Sequence, residues 1–327
     1  MNLRQIKRNI PFAATALVCL LLYAAAGAKF KDEGFLSLRV FISFFSENAF
    51  LGIAAIGMTF VILSGGIDLS VGGVVGLVSI SLALLMEKHG MHAAAAIPLV
   101  LVMGAALGTA MGVCIHCFAL PPFLVTLAGM FFARGLAFVL QLESLPITRY
   151  FDGIATALSV PLGGKLALPA TAVILLAVFL IALWVAHFTR FGRNVYAVGG
   201  SEPSAVLMGL PVGRTKIGVY ALSGFCAALA GVVYSLYTYS GNPTAGTGLE
   251  LDAIAAVVIG GTLLSGGVGY LAGTLVGVLI FGIIQTAITF DGTLSSWWAK
   301  IVIGGLLLGF ILLQMLLQRT QSRDAAH

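Results

Sequence analysis

Asp68 is the residue of this chain that most needs a chemical explanation. It stands in Leu63-Ser64-Gly65-Gly66-Ile67-Asp68-Leu69-Ser70-Val71-Gly72, between two long apolar runs. An ionisable side chain there is costly and marks either a functional contact or a satisfied structural role. The glycine pair predicts a break in a membrane helix, which leaves backbone groups in need of polar partners. Asp68 can cap the helix that begins near Ser70, or it can contact a solute. Arg134 lies inside another apolar run and requires a carboxylate partner or a route for its guanidinium to reach water. Glu250 and Asp252 open a later apolar segment and are expected to face an external mouth. Ser64, Ser70, Thr126, Tyr237, Asn242 and Gln285 supply hydrogen-bonding groups of the kind that line a path for a polar solute, with Phe123 as a gate. Each aromatic also has the plainer reading of helix packing. Cys114 and Cys117 have C-x-x-C spacing around His116, but no second pair accompanies them. Nothing has the spacing of a metalloprotease, a serine hydrolase or a phosphate-binding loop. No catalytic residue, metal or cofactor is therefore expected in this chain.

The elements that hold these residues are set by composition. With 60% apolar and 9% charged residues and a mean hydropathy of +1.08, the chain is outside the range of soluble globular proteins. Its apolar runs are continuous, which excludes a β-barrel. The small net charge of +5 is spread over loops and gives no sign of nucleic-acid binding. A spanning helix needs roughly 20 apolar residues. The expected fold is all-α, one polytopic domain over residues 1–327 with about ten membrane helices, some short or broken. The candidates are Pro11–Gly27, Phe44–Ser64, Ile67–Met86, Ala93–Leu120, Phe123–Leu142, Leu166–Phe188, Ile217–Tyr239, Leu251–Leu264, Val268–Phe290 and Trp297–Leu317. The eighth is short enough to be re-entrant. An even number puts both termini on one side, and the basic flank Arg4, Lys7 and Arg8 argues for the cytoplasm. The connection Glu143–Lys165 reads as an ordered external loop. The break around Asp68 has an echo 201 residues later, Leu264-Ser265-Gly266-Gly267-Val268-Gly269-Tyr270-Leu271-Ala272-Gly273. Repeated elements in two halves are a common transporter plan; chance similarity in a glycine- and leucine-rich chain is the competing reading.

Residues 189–216 are the polar exception, carrying Arg190, Arg193, Glu202, Arg214 and Lys216 among glycine and proline breakers. Ser201 can cap a helix with Pro203 in its first turn and Glu202 at the positive end, running through Ala205, Val206 and Met208 to Gly209. Counting spans places this segment in the cytoplasm. A half-apolar two-turn helix outside the bilayer either rests on lipid or docks on a soluble partner.

These segments resemble a known family. Leu63–Gly72, Phe191-Gly192-Arg193-Asn194-Val195-Tyr196-Ala197-Val198-Gly199-Gly200 and Glu250–Gly261 together resemble the ribose/xylose/arabinose family of ABC sugar-importer permeases, in the same order and over nearly the whole chain. Leu120–Met130 and Phe290–Trp298 are most similar to galactofuranose-importing members. The resemblance implies a pore subunit of the bacterial inner membrane, beside a second, related permease. ATP would be bound by a partner ATPase at Arg193 and Ser201–Gly209, and a periplasmic sugar-binding protein would dock outside. Two departures stand out: Ser201 replaces the family's usual Asn, and the Asn-rich patch common near Gln285 is missing. The competing reading is an ion-coupled secondary transporter with Asp68 and Arg134 as coupling charges; a membrane-embedded enzyme lacks the residues it would need.

Overall fold

The computed structural model describes residues 3–163, 166–295 and 297–324. Gly164, Lys165 and Ser296, which belong to segments named above, lie outside the described residues. Among the described residues the fold is helical, with two short two-stranded ribbons. The helices are α1 (Leu3–Lys29), α2 (Leu38–Glu47), α3 (Ala49–Leu63), α4 (Val71–Ala83, prolonged by a wider turn Leu84–Lys88), α5 (Ala93–Cys117), α6 (Pro122–Leu140), α7 (Phe151–Leu158) and α8 (Ala170–Phe188). They continue with α9 (Arg190–Gly200), α10 (Glu202–Leu207), α11 (Val212–Thr238), α12 (Leu249–Ile259), α13 (Leu271–Asp291) and α14 (Trp297–Asp324).

Eight of these helices are long and apolar enough to cross a membrane, and α2 with α3, bent by 54° at Asn48, makes up to nine. The expected ten is corrected at the eighth segment. Leu251–Leu264 yields only the eleven residues of α12, too few to span some 30 Å at 1.5 Å per residue. Gly260 and Gly261 end it. Several boundaries also move, among them that of the sixth segment, which begins at Ala170 because Leu166–Leu168 is a strand. The third segment begins at Val71, because Gly66–Ser70 has no helical structure, and the seventh begins at Val212, which takes Arg214 and Lys216 into α11.

Helix α11 is the centre of the bundle, packed on α5, α3 and α4. The approach to α5 is backbone to backbone: a Cβ added at Gly108 would overlap the Tyr220 carbonyl oxygen, and one at Gly104 would stand 2.6 Å from that of Gly224. Small residues replace the hydrophobic drive that lipid removes. Hydroxyl pairs tie other crossings, Ser79 to Ser235 at 2.9 Å and Thr59 to Thr274 at 2.8 Å.

The bundle has two unlike ends. At one, Phe12 lies beside Tyr270, the Thr15 hydroxyl donates to the Ile259 carbonyl, and α9, with α10 packed against it, sits on the turns that follow α3 and α12. At the other, Lys29 pairs with Asp291, and the connection that begins at Glu143 has regular structure up to Gly163. Leu145–Pro146 (β1) pairs with Ser240–Gly241 (β4) there, and Val160–Gly163 (β2) with Leu166–Leu168 (β3). Glu87 pins that connection by accepting the Thr148 and Arg149 backbone N–H groups at 2.7 and 3.0 Å.

Candidate functional site

The break after α3 is built as its residues require. Ser64 donates to the Val61 carbonyl at 2.7 Å and closes α3, while Gly65 takes φ +83°, which a side chain would resist. The chain then runs without helix or strand structure to Ser70. Asp68 is fully buried and accepts three hydrogen bonds: from the Ser70 N–H at 2.9 Å, the Ser70 hydroxyl at 2.6 Å and the Ser223 hydroxyl of α11 at 2.7 Å. It therefore fixes the turn into α4 and ties it to α11, rather than capping the first helical amides; Ser70 occupies the cap position, but its hydroxyl accepts no helical N–H. Thr126 is buried beside the same segment, donating to the Pro122 carbonyl at 2.9 Å with the Ile67 carbonyl at 3.4 Å.

The other expected pathway residues lie elsewhere. Phe123 is half exposed on the outer face of α6, and Tyr237 is similarly exposed near the far end of α11. Asn242 shapes its own loop by accepting from the Thr244 N–H at 2.8 Å and hydroxyl at 2.7 Å. Gln285 is exposed on α13 and lines a cavity of about 550 Å³ with Thr289, Trp297 and Lys300. Only Ser64, Asp68, Ser70 and Thr126 gather along one break.

Arg134 finds carbonyls first. It donates to Pro243 and Ala245 at 2.9 and 2.7 Å, in the loop that leads into α12. Glu250, on the first turn of α12, interacts with it electrostatically and keeps one buried carboxylate oxygen without a hydrogen-bond partner. Asp252 on the same turn pairs with Lys300 of α14. The short helix is thus held between α6 and α14 by charges on opposite sides.

Residues 189–216 fold as two helices where one was expected. Thr189 caps α9 by accepting the Gly192 N–H at 3.1 Å, and Ser201 caps α10 by accepting the Ser204 N–H at 3.3 Å. Glu202 pairs with Lys216 at 2.7 Å. The apolar face of α10 divides. Ala205 is buried with Val198 and Val212, whereas Val206, Leu207 and Met208 are 59%, 89% and 66% exposed. Gly209 ends the helix with φ +71°. Arg190, Arg193 and Arg214 are exposed on this segment, and Arg193 makes no ion pair among the described residues.

The family model described as a branched-chain amino acid transport system / permease component matches residues 40–311. The chain belongs to this permease family. It is 52% identical over 311 residues to the inner membrane ABC transporter permease protein YjfF of Escherichia coli K12, covering 94% of this chain and 93% of that one. It is 38% identical over 314 residues to the fructose import permease protein FruG of Bifidobacterium longum, covering 94% and 91%. It is 41% identical over 295 residues to the ribose import permease protein RbsC of Bacillus subtilis, covering 89% and 88%. No solved structure matches the chain. The permease is a transport component of the ABC-importer class, multi-pass in the inner membrane, and not an enzyme.

Ser223 and Tyr220 of the permease escaped sequence reasoning. Ser223 is one hydroxyl in an apolar stretch of α11, and its role depends on a residue 155 positions away. Tyr220 is buried with its hydroxyl beside Gly66, where a Cβ would collide with it. The signal for both was weak but present: polar atoms inside a helix otherwise shaped for lipid and close packing.

Proposed function

We propose that this permease is the pore subunit of a binding-protein-dependent ABC importer for a monosaccharide, galactofuranose, worked by alternating access. A separate ATPase subunit drives it, a second related permease completes the pore, and a periplasmic sugar-binding protein delivers the substrate. Both termini and the α9–α10 segment face the cytoplasm. The observation that carries the reading is α10: a capped helix at the end of the bundle with three consecutive apolar side chains exposed, Val206, Leu207 and Met208, and three arginines around it. Such a patch calls for a partner. The monosaccharide class is supported by the names of the fructose and ribose relatives. The choice of galactofuranose rests on the resemblance of Leu120–Met130 and Phe290–Trp298 to importers of that sugar. The ion-coupled alternative is not favoured: Asp68 is satisfied by serines, Arg134 by carbonyls and Glu250, and the two do not meet.

Leu207→Asp in the assembled complex tests the docking surface. Burying a leucine contributes about 1.5–3 kcal/mol, so replacing it by a charge should release the ATPase during purification while this subunit stays in the membrane. A variant that keeps its ATPase and its ATP-driven uptake would remove α10 from the docking role. Uptake of labelled galactofuranose and ribose into proteoliposomes bearing the complex and its binding protein tests the substrate, and uptake of ribose alone would overturn the galactofuranose assignment.

A further inference from the structure

The two glycine-paired breaks, 201 residues apart in sequence, touch each other in the fold. The Gly267 N–H donates to the Leu63 carbonyl at 2.9 Å, across from the end of one broken helix to the turn of the other. A Cβ at Gly266 would stand 2.8 Å from the Gly65 nitrogen. The last turn of α9 is wedged into this contact. A Cβ at Gly199 would overlap the Leu63 carbonyl oxygen, and one at Gly267 would stand 2.6 Å from the Gly200 Cα. From the same helix, the Tyr196 hydroxyl donates to the Gly269 carbonyl at 3.1 Å.

The path from α10 to this point is short and contains no slack. Ser201 ends α9 and starts α10, so no linker separates them. Val198 of α9, Ala205 of α10 and Val212 of α11 form a small core of their own that holds the two short helices together. A displacement of α10 is therefore carried into the end of α9 by packing, and α9 meets the breaks through the backbone of Gly199 and Gly200 and through the Tyr196 hydroxyl.

On the coupling reading of α10, we propose that Gly199 and Tyr196 are positioning residues of transport. They make the α9–α10 joint act on the α3–α4 break and the α12–α13 turn at once, so the two switch together. The glycines are needed because only backbone can approach this closely, and Tyr196 adds a directional tie to the second break.

The test uses the complete complex in proteoliposomes, with ATPase retention, ATP hydrolysis and sugar import measured together. Tyr196→Phe removes one hydrogen bond and keeps the ring. It should leave the ATPase bound and hydrolysing while lowering import per ATP roughly two- to tenfold. Gly199→Ala should have a larger effect in the same direction, whereas Gly304→Ala, whose Cβ would meet nothing within 4 Å, should match the parent. If Gly199→Ala does not assemble, Tyr196→Phe decides alone. Unchanged import per ATP in Tyr196→Phe, with Leu207→Asp still releasing the ATPase, would overturn the joint and leave the docking assignment intact. An ATPase that stays bound to Leu207→Asp would instead remove the docking reading, and the joint would fall with it.

Discussion

Replacing Asp68 separates a structural carboxylate from a coupling charge. Three donors point at it, one a backbone N–H that cannot turn away and two serine hydroxyls that can. In Asp68→Ala the Ser70 N–H is left buried without an acceptor, which costs about 1–3 kcal/mol. The two hydroxyls can reorient toward nearby carbonyls, so each adds less, on the order of 0.5–1.5 kcal/mol. The expected loss is several kcal/mol, concentrated where α4 begins and where it meets α11. Asp68→Asn keeps one oxygen for the Ser70 group, and its amide can donate to the Ser223 oxygen, because a hydroxyl both gives and accepts. Its expected cost is about 1 kcal/mol. The assay is thermal unfolding of the detergent-purified complex beside sugar uptake in proteoliposomes. Asn should be near the parent in both, and Ala should be less stable and poorly active. Equal loss of uptake in both variants, with stability retained in Asn, would refute the structural account. It would make the charge itself the functional element.

Two further perturbations probe the packing. Arg134→Ala strips two loop carbonyls of their donor and leaves Glu250 without its counter-charge, so the subunit should lose about 1.5–3 kcal/mol of stability. Adding Glu250→Gln should recover part of this, and a double variant no more stable than the single would show that Glu250 is not the charge Arg134 serves. Gly108→Ala sets a methyl group against the Tyr220 carbonyl at the α5–α11 crossing. It should lower thermal stability by about 1–3 kcal/mol, while Gly135→Ala, which meets open space, should not.

Much of the architecture was legible because lipid imposes length and continuity on the helices. The ordered connection after α6, the glycine break before Asp68 and the cap at Ser201 all carry local signals, and each appears where its residues put it. The tenth span was the short Leu251–Leu264 segment, already short enough to be read as re-entrant, and α12 has only eleven residues there. The Gly260-Gly261 pair ends the helix, with Gly261 at φ +90°, and the close approach of Gly260 to the Gly273 backbone of α13 is the part with no local mark. Helix α9 was missed for the opposite reason: Phe191–Gly200 contains three glycines, a poor intrinsic helix former, and tertiary contacts with α8 and α11 hold it helical. At the site, Asp68 was visible and its partner Ser223 was not. A lone serine in an apolar run cannot be assigned to a residue 155 positions away until the helices are packed.

The two ends of the bundle are made of different interactions, and the difference bears on how the subunit can move. At the end that carries Lys29, contacts between segments include Lys29–Asp291, Arg149–Glu87 and, one turn into the bundle, Lys300–Asp252, with the three cations half or more exposed. Pairs of that kind contribute only about 0–1 kcal/mol each and are screened by salt, so parting them is cheap. At the end that carries α10, Gly199, Gly266 and Gly267 meet neighbouring backbone with no room for a Cβ. Such contacts do not deform gradually; they hold one arrangement or give way to another. If α10 is the docking helix as proposed, a subunit made in this way would be stiff where force is applied and soft at the opposite end, which would suit a stroke delivered at one end and an opening required at the other.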